Sequence, residues 1–140
     1  MTDYTILSKF RNKKNVDFLV QELRKRGKTC YNFADNAPDP NNPNGDPEDQ
    51  MKALESVKDF YNDDHHKYLF RSDLDGLKNA ETAIMLLPAG NAVHIEAGIA
   101  YGLGKKLILI GEAEKPETLY QIFKERYRTM EEFLETICFE

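Results

Sequence analysis

With 140 residues, 41% hydrophobic and 31% charged, the chain carries enough apolar material for one globular domain, expected over residues 1–140, and too much to be read as disordered. No run approaches the length needed to cross a bilayer, and MTDYTILSKFRNKK lacks a basic stretch ahead of an apolar one, so neither a membrane span nor a secretion signal is expected. The net charge of −5 speaks against a nucleic-acid polymer as partner, because neutralising phosphates needs a basic face, but it leaves room for a small anionic ligand in a local basic pocket. Cys30 and Cys138 stand alone, without CxxC or Cys/His ligand spacing; neither a disulfide nor a metal site is expected, and reduced thiols in the cytoplasm are the default.

In chain order, Tyr4 to Leu7 reads as a first strand. From about Asn15, Val16, Leu19, Val20 and Leu23 recur at helical spacing, and Gly27 after Arg24-Lys25-Arg26 is a helix stop. Thr29 to Phe33 predicts a second strand. The segment ADNAPDPNNPNGDPED is too rich in Pro, Asn, Asp and Gly for regular structure; it predicts a long loop over residues 35–48. It ends in a helix start, with Asp46 as N-cap and Pro47 at the first helical position, and Met51, Leu54, Val57 and Tyr61 mark the helix's face.

A further helix is expected from about His65 to Asn79. Thr82 to Leu87 is an unbroken apolar run, the pattern of a strand covered on both faces. A turn at Pro88 to Asn91 leads into an almost wholly apolar helix, Ala92 to Leu103, closed by Gly104; Ala97, Gly98, Ala100 and Gly102 would let it press on the sheet. Leu107 to Ile110 is a second buried strand, residues 116–124 read as helix, 127–129 as a short edge strand, and 130–137 as a closing helix. Strands alternating with helices imply an α/β fold: a single-domain, three-layer, doubly wound parallel sheet of the flavodoxin or Rossmann-like type, with about five strands in the order 2-1-3-4-5. Ligands of such sheets bind beyond the carboxyl ends of the strands, which would bring together Ser8 to Lys14, the Asp35 loop and Ala89 to Glu96.

Two acids stand out. Glu96 is the sole acid in AVHIEAGIAYGLG, flanked four residues away by Ala92 and Ala100, so no cation shares its face. A carboxylate there needs either a partner from another element, open water, or a cleft in which it works. Asp73 interrupts an apolar helical face between Leu69 and Leu77 and is either a hydrogen-bonded, half-buried acid or a second functional carboxylate; Asp75, near Arg71 and Lys78, reads as surface. Gly90 and Asn91 join a strand to a helix, where free N–H groups suit a phosphate or carboxylate and Asn91 would cap the helix. The glycine pattern of a P-loop or a dinucleotide fingerprint is missing. Lys9 and Arg11 follow the first strand and are candidates to pair an anion, whereas Lys13 and Lys14 read as surface. His94, near a helix start, either lines the pocket or packs, and His65-His66 has no metal-ligand companions.

The stretch DLDGLKNAETAIMLLPAGNAVHIEAGIAYGLGKKLILIGE resembles the nucleoside 2-deoxyribosyltransferase-like family, which includes deoxynucleoside 5′-monophosphate N-glycosidases. The likeness rests on Asp73-Leu74-Asp75-Gly76-Leu77, Ala80-Glu81, Glu96-Ala97-Gly98 and Leu103-Gly104-Lys105, with Ser8-Lys9-Phe10-Arg11 similar to the family's first-strand loop. It implies that Glu96 is the catalytic glutamate at the anomeric carbon and that Asp73 positions the sugar or assists the departing base. It further implies that Ser8, Lys9, Phe10, Arg11, Gly90, Asn91 and His94 bind a small nucleoside or nucleotide without a cofactor. A homodimer or larger assembly is implied as well, with a neighbour completing the pocket. Two departures are visible: Thr5 stands where the family often carries a tyrosine, with Tyr4 one place off, and no serine follows near Asn91. Two other functions fit the same architecture: a TIR-like hydrolase of NAD, and a nucleotide-binding module without catalysis.

Overall fold

The computed structural model describes residues 1–139, built around one five-stranded, all-parallel sheet in the order β2-β1-β3-β4-β5. The strands are β1 (Thr2–Leu7), β2 (Cys30–Tyr31), β3 (Ala80–Leu86), β4 (Lys106–Ile110) and β5 (Glu125–Tyr127). The helices are α1 (Lys13–Lys25), α2 (Pro47–Glu55), α3 (Asp64–Asn79), α4 (Asn91–Gly102) and α5 (Met130–Leu134). The doubly wound architecture and strand order expected from the sequence are those observed.

Alternation along the central strands divides the core into two layers. Ile6, Ile84, Ile108 and Ile110 point to one face, where Val16, Leu19, Val20 and Leu23 of α1 and Phe133 and Leu134 of α5 cover them. Leu7, Ala83, Met85, Leu107 and Leu109 point to the other, under Leu77 of α3 and Val93, Ala97 and Ala100 of α4. The helix stops are real: Gly27 and Gly104 follow α1 and α4 with positive φ, a conformation that side-chain-bearing residues resist.

Several boundaries differ from the sequence reading. The second strand is two residues long, because the Asn32 side chain accepts a hydrogen bond from the Ala34 N–H and turns the chain into a 3-10 turn. Helix α2 ends at Glu55, where the Ser56 hydroxyl bonds back to the Ala53 carbonyl, so Val57 and Tyr61 do not extend its face. Residues 118–122 form a 3-10 turn in place of an α-helix, as the chain breaks off to bury Phe123. The closing helix is shorter than expected and stops at Leu134. Asn91 is not the cap of α4: the Gly90 carbonyl accepts the first helical bond from His94 N–H, so Asn91 already lies inside the helix. Only half of the small residues of α4 serve close packing, since Ala97 and Ala100 are buried whereas a Cβ added at Gly98 or Gly102 would meet open space.

The long loop is ordered by one side chain. Gln50, on α2, is 2% exposed; its amide nitrogen donates to the Pro43 and Gly45 carbonyls and its oxygen accepts from the Asp39 N–H. Buried with its hydrogen bonds made, it folds residues 39–45 back onto α2. Arg11, in the turn after β1, then fastens α2 to the body by ion pairs to Glu48 at 2.5 Å and Glu55 at 2.7 Å.

Candidate active site

The carboxyl ends of β1 and β3, the amino end of α4, the middle of α3 and helix α2 enclose a cleft of about 430 Å³. Ser8, Lys9, Phe10, Arg11, Gly90, Asn91, Asp73 and Glu96 all line it, joined by Met51 and Leu54 from α2. A second, more apolar hollow of about 360 Å³ lies between α3 and α4 and shares Phe70, Asp73, Ala92 and Glu96 with the first, so both acids sit where the two meet.

The cleft is shaped by local interactions readable one by one. The Ser8 hydroxyl is buried and donates to the Leu86 carbonyl at 2.8 Å, tying the β1 loop to the end of β3. Gly90 leaves space for the stem of Lys9, whose Cε would lie 3.3 Å from a Cβ at that position. Arg11 borders the cleft, but its guanidinium is held by Glu48 and Glu55 and serves to fasten α2. His94 is not among the lining residues. The Gly90 carbonyl can only accept, so Nδ1 donates to it at 2.7 Å, and Nε2 shares a hydrogen bond with the Tyr120 hydroxyl at 2.7 Å. It braces the helix start outside the cavity, in the packing alternative that its sequence position left open.

No ion pair among the described residues reaches Glu96 or Asp73. Burial pushes the Glu96 carboxyl up to about 8, and the neighbouring charge of Asp73 pushes in the same direction. Burial also raises Asp73 to about 6, opposed by a hydrogen bond from the Tyr31 hydroxyl to Oδ1 at 3.0 Å. At neutral pH the pair therefore holds one proton, on Glu96, and one negative charge, on Asp73. Two carboxyl groups with separated affinities for protons, facing one cleft, are the equipment of acid–base and nucleophilic chemistry. No cluster of three metal-ligating side chains occurs among the described residues, and no described helix is long and apolar enough to cross a membrane. Both cysteines are free thiols; burial pushes Cys30 up to about 11.

Sequence reasoning missed three contributors. Tyr31 lies beside Thr5 in the register of β1 and β2 and is the phenol closest to the acids, whereas Tyr4 packs edge-on to Phe133 on the opposite face. Its signal was indirect: Gly76, three residues after Asp73, clears the helix surface above the Tyr31 ring. His66 lines the cleft and donates from Nε2 to the Leu54 carbonyl at 3.1 Å. Asn36, from the loop, reaches the Tyr31 hydroxyl at 3.1 Å.

Fold and site define a doubly wound α/β protein with a carboxyl pair beyond the sheet's carboxyl edge. Its fold is shared with a 2-deoxyribosyltransferase of Bacillus psychrosaccharolyticus, at a TM-score of 0.65 and 17% identity over 94% of this chain and 90% of that one. It is shared also with the CMP N-glycosidase BcmB of Clostridium botulinum, at a TM-score of 0.52 and 21% identity over 96% of each chain. No protein-family model and no curated protein sequence matches the chain significantly.

Proposed function

We propose that the protein breaks N-glycosidic bonds of nucleosides or nucleotides, by hydrolysis or by transfer to a second base, and that residues 1–140 act as one domain. The observation that carries this reading is the pair Glu96 and Asp73, without an ion-pair partner among the described residues, in a cleft at the ligand-binding edge of the sheet. The overall likeness to two proteins named for that chemistry supports it.

In this mechanism an ionised Glu96 oxygen attacks the anomeric carbon as the bond from that carbon to the base nitrogen breaks. The bonding electrons leave with the base, which takes up a proton from solvent water, later balanced by the proton that the attacking water or base gives up, and a glycosyl ester on Glu96 remains. Water or an incoming base then attacks the same carbon and releases Glu96. Asp73, ionised above about pH 6, holds a sugar hydroxyl and stabilises positive charge at the ring oxygen. Phe10, Met51, Leu54 and Phe70 offer apolar surface to the base, and Lys9 beside Gly90 offers a positive charge to a 5′-phosphate.

We propose further that two copies associate through α4, an apolar helix whose Ile95 is 64% exposed at the rim of the α3–α4 hollow, beside Ile99.

The test is base release from nucleosides, their 5′-monophosphates and NAD, with Glu96→Gln alongside. Release that falls at least a hundredfold in the variant is expected. Equal release by both proteins removes Glu96 from the mechanism. Nicotinamide release from NAD alone redirects the substrate, and nucleotide-dependent thermal stabilisation without any turnover replaces catalysis by binding.

A further inference from the structure

We infer that Tyr31, on the second strand, is the positioning residue of the carboxyl pair: its hydroxyl fixes Asp73 as an oriented hydrogen-bond acceptor and leaves the other carboxylate oxygen for the ligand. The inference rests on the reaction proposed above. Its geometry is that of a built relay. Tyr31 donates to Asp73 Oδ1 at 3.0 Å and accepts from Asn36 Nδ2 at 3.1 Å, while the Tyr68 hydroxyl donates to Asn36 Oδ1 at 3.2 Å. An accepted bond from Asn36 orients the Tyr31 hydroxyl so that its single proton points to Asp73.

The sequence reserves room for this arrangement. A Cβ at Gly76 would fall 2.4 Å from Tyr31 Cδ1 and 2.6 Å from Cε1, so the ring lies flush against α3 one turn beyond Asp73 only because residue 76 has no side chain. The parallel register sets Tyr31 beside the buried Thr5, on the face of the sheet that α3 and α4 cover. The relay begins in the loop at Asn36 and on α3 at Tyr68, so the placement of that loop and the orientation of Asp73 depend on each other. The titratable groups facing Asp73 are Glu96 from α4 and Tyr31 from β2, while Lys9, Arg11 and His66 line the same cleft. Burial and the Asp73 charge both raise the Tyr31 phenol, which therefore stays a donor throughout the range in which the acids titrate.

The test follows the Asp73 side-chain carboxyl carbon by NMR in the full chain, from pH 4 to 9, in the wild type, Tyr31→Phe and Asn36→Ala. Loss of one hydrogen bond to a carboxylate should raise the Asp73 midpoint by about one pH unit in Tyr31→Phe and by less in Asn36→Ala. In kcat/KM the loss should be about tenfold larger at pH 5 than at pH 9, where only the lost orientation of Asp73 remains, a pH dependence that a merely structural lesion would not produce. An unshifted midpoint in a folded Tyr31→Phe overturns the proposal. Should that variant not fold, Asn36→Ala decides in the same way, because it leaves the ring in place. Absence of base release from the wild type would overturn the reaction proposed above, and the carboxyl titration, which needs no turnover, still decides on Tyr31.

Discussion

Glu96→Gln makes the protein more stable at neutral and alkaline pH and leaves it nearly unchanged in acid. The carboxyl is raised from its ordinary 4.5 to about 8 in the folded chain, so folding favours the protonated form. Its contribution to stability is complete below about pH 4.5 and disappears as pH climbs through about 8, because the unfolded chain ionises freely while the buried group cannot. At pH 7 the resulting penalty is about 3 kcal/mol, approaching about 5 kcal/mol above pH 9, and glutamine, with nearly the same shape and no charge, escapes it. Any cost of burying the amide is independent of pH, so the slope of the difference is diagnostic. Urea unfolding of both proteins at pH 4, 7 and 9 measures it, and at pH 7 the variant's melting temperature should stand about 6–12 °C higher before that constant offset. A stability difference that does not vary with pH would refute the reasoning, since it would mean that Glu96 ionises in the folded protein as readily as in water.

The same two groups govern turnover: kcat/KM should rise with pH as Glu96 ionises, through an apparent value near 8, and Asp73→Asn should move that limb to lower pH by removing a neighbouring charge. A bell centred at pH 5 would contradict this. Gln50→Ala should cost about 1–3 kcal/mol, since it leaves the Pro43 and Gly45 carbonyls without their donor, and hydrogen exchange should quicken first in residues 39–45. Arg11→Ala should raise KM several-fold more than it lowers kcat, with protease cleavage appearing between residues 36 and 55, because the ion pairs to Glu48 and Glu55 fasten α2 over the cleft. Ile95→Glu should lower the mass measured by light scattering toward that of a monomer; an unchanged mass would place any self-association elsewhere.

The amino-acid pattern alone determined the sheet and its helices, because burial imposes periodicity. The apolar run from Thr82 to Leu87 carries the pattern of a strand covered on both faces, and Val16, Leu19, Val20 and Leu23 that of one side of a helix laid on it. The isolation of Glu96 was legible for the same reason, since an acid without a cation at helical spacing declares itself within a dozen residues. Tertiary structure decided everything that depended on partners distant in sequence. Asp73 and Tyr31 are 42 residues apart and Arg11 and Glu48 are 37 apart, and no local spacing encodes either pair. Nothing in the spacing of Gln50 singles it out; its role comes from three backbone groups of the preceding loop that bond to it. His94 could have faced either way, and a tyrosine beyond β4 drew it out of the cleft. Periodicity records which side of an element is dry; which polar atoms meet there is set by how the elements dock, and hydrogen-bond geometry is satisfied only after they have.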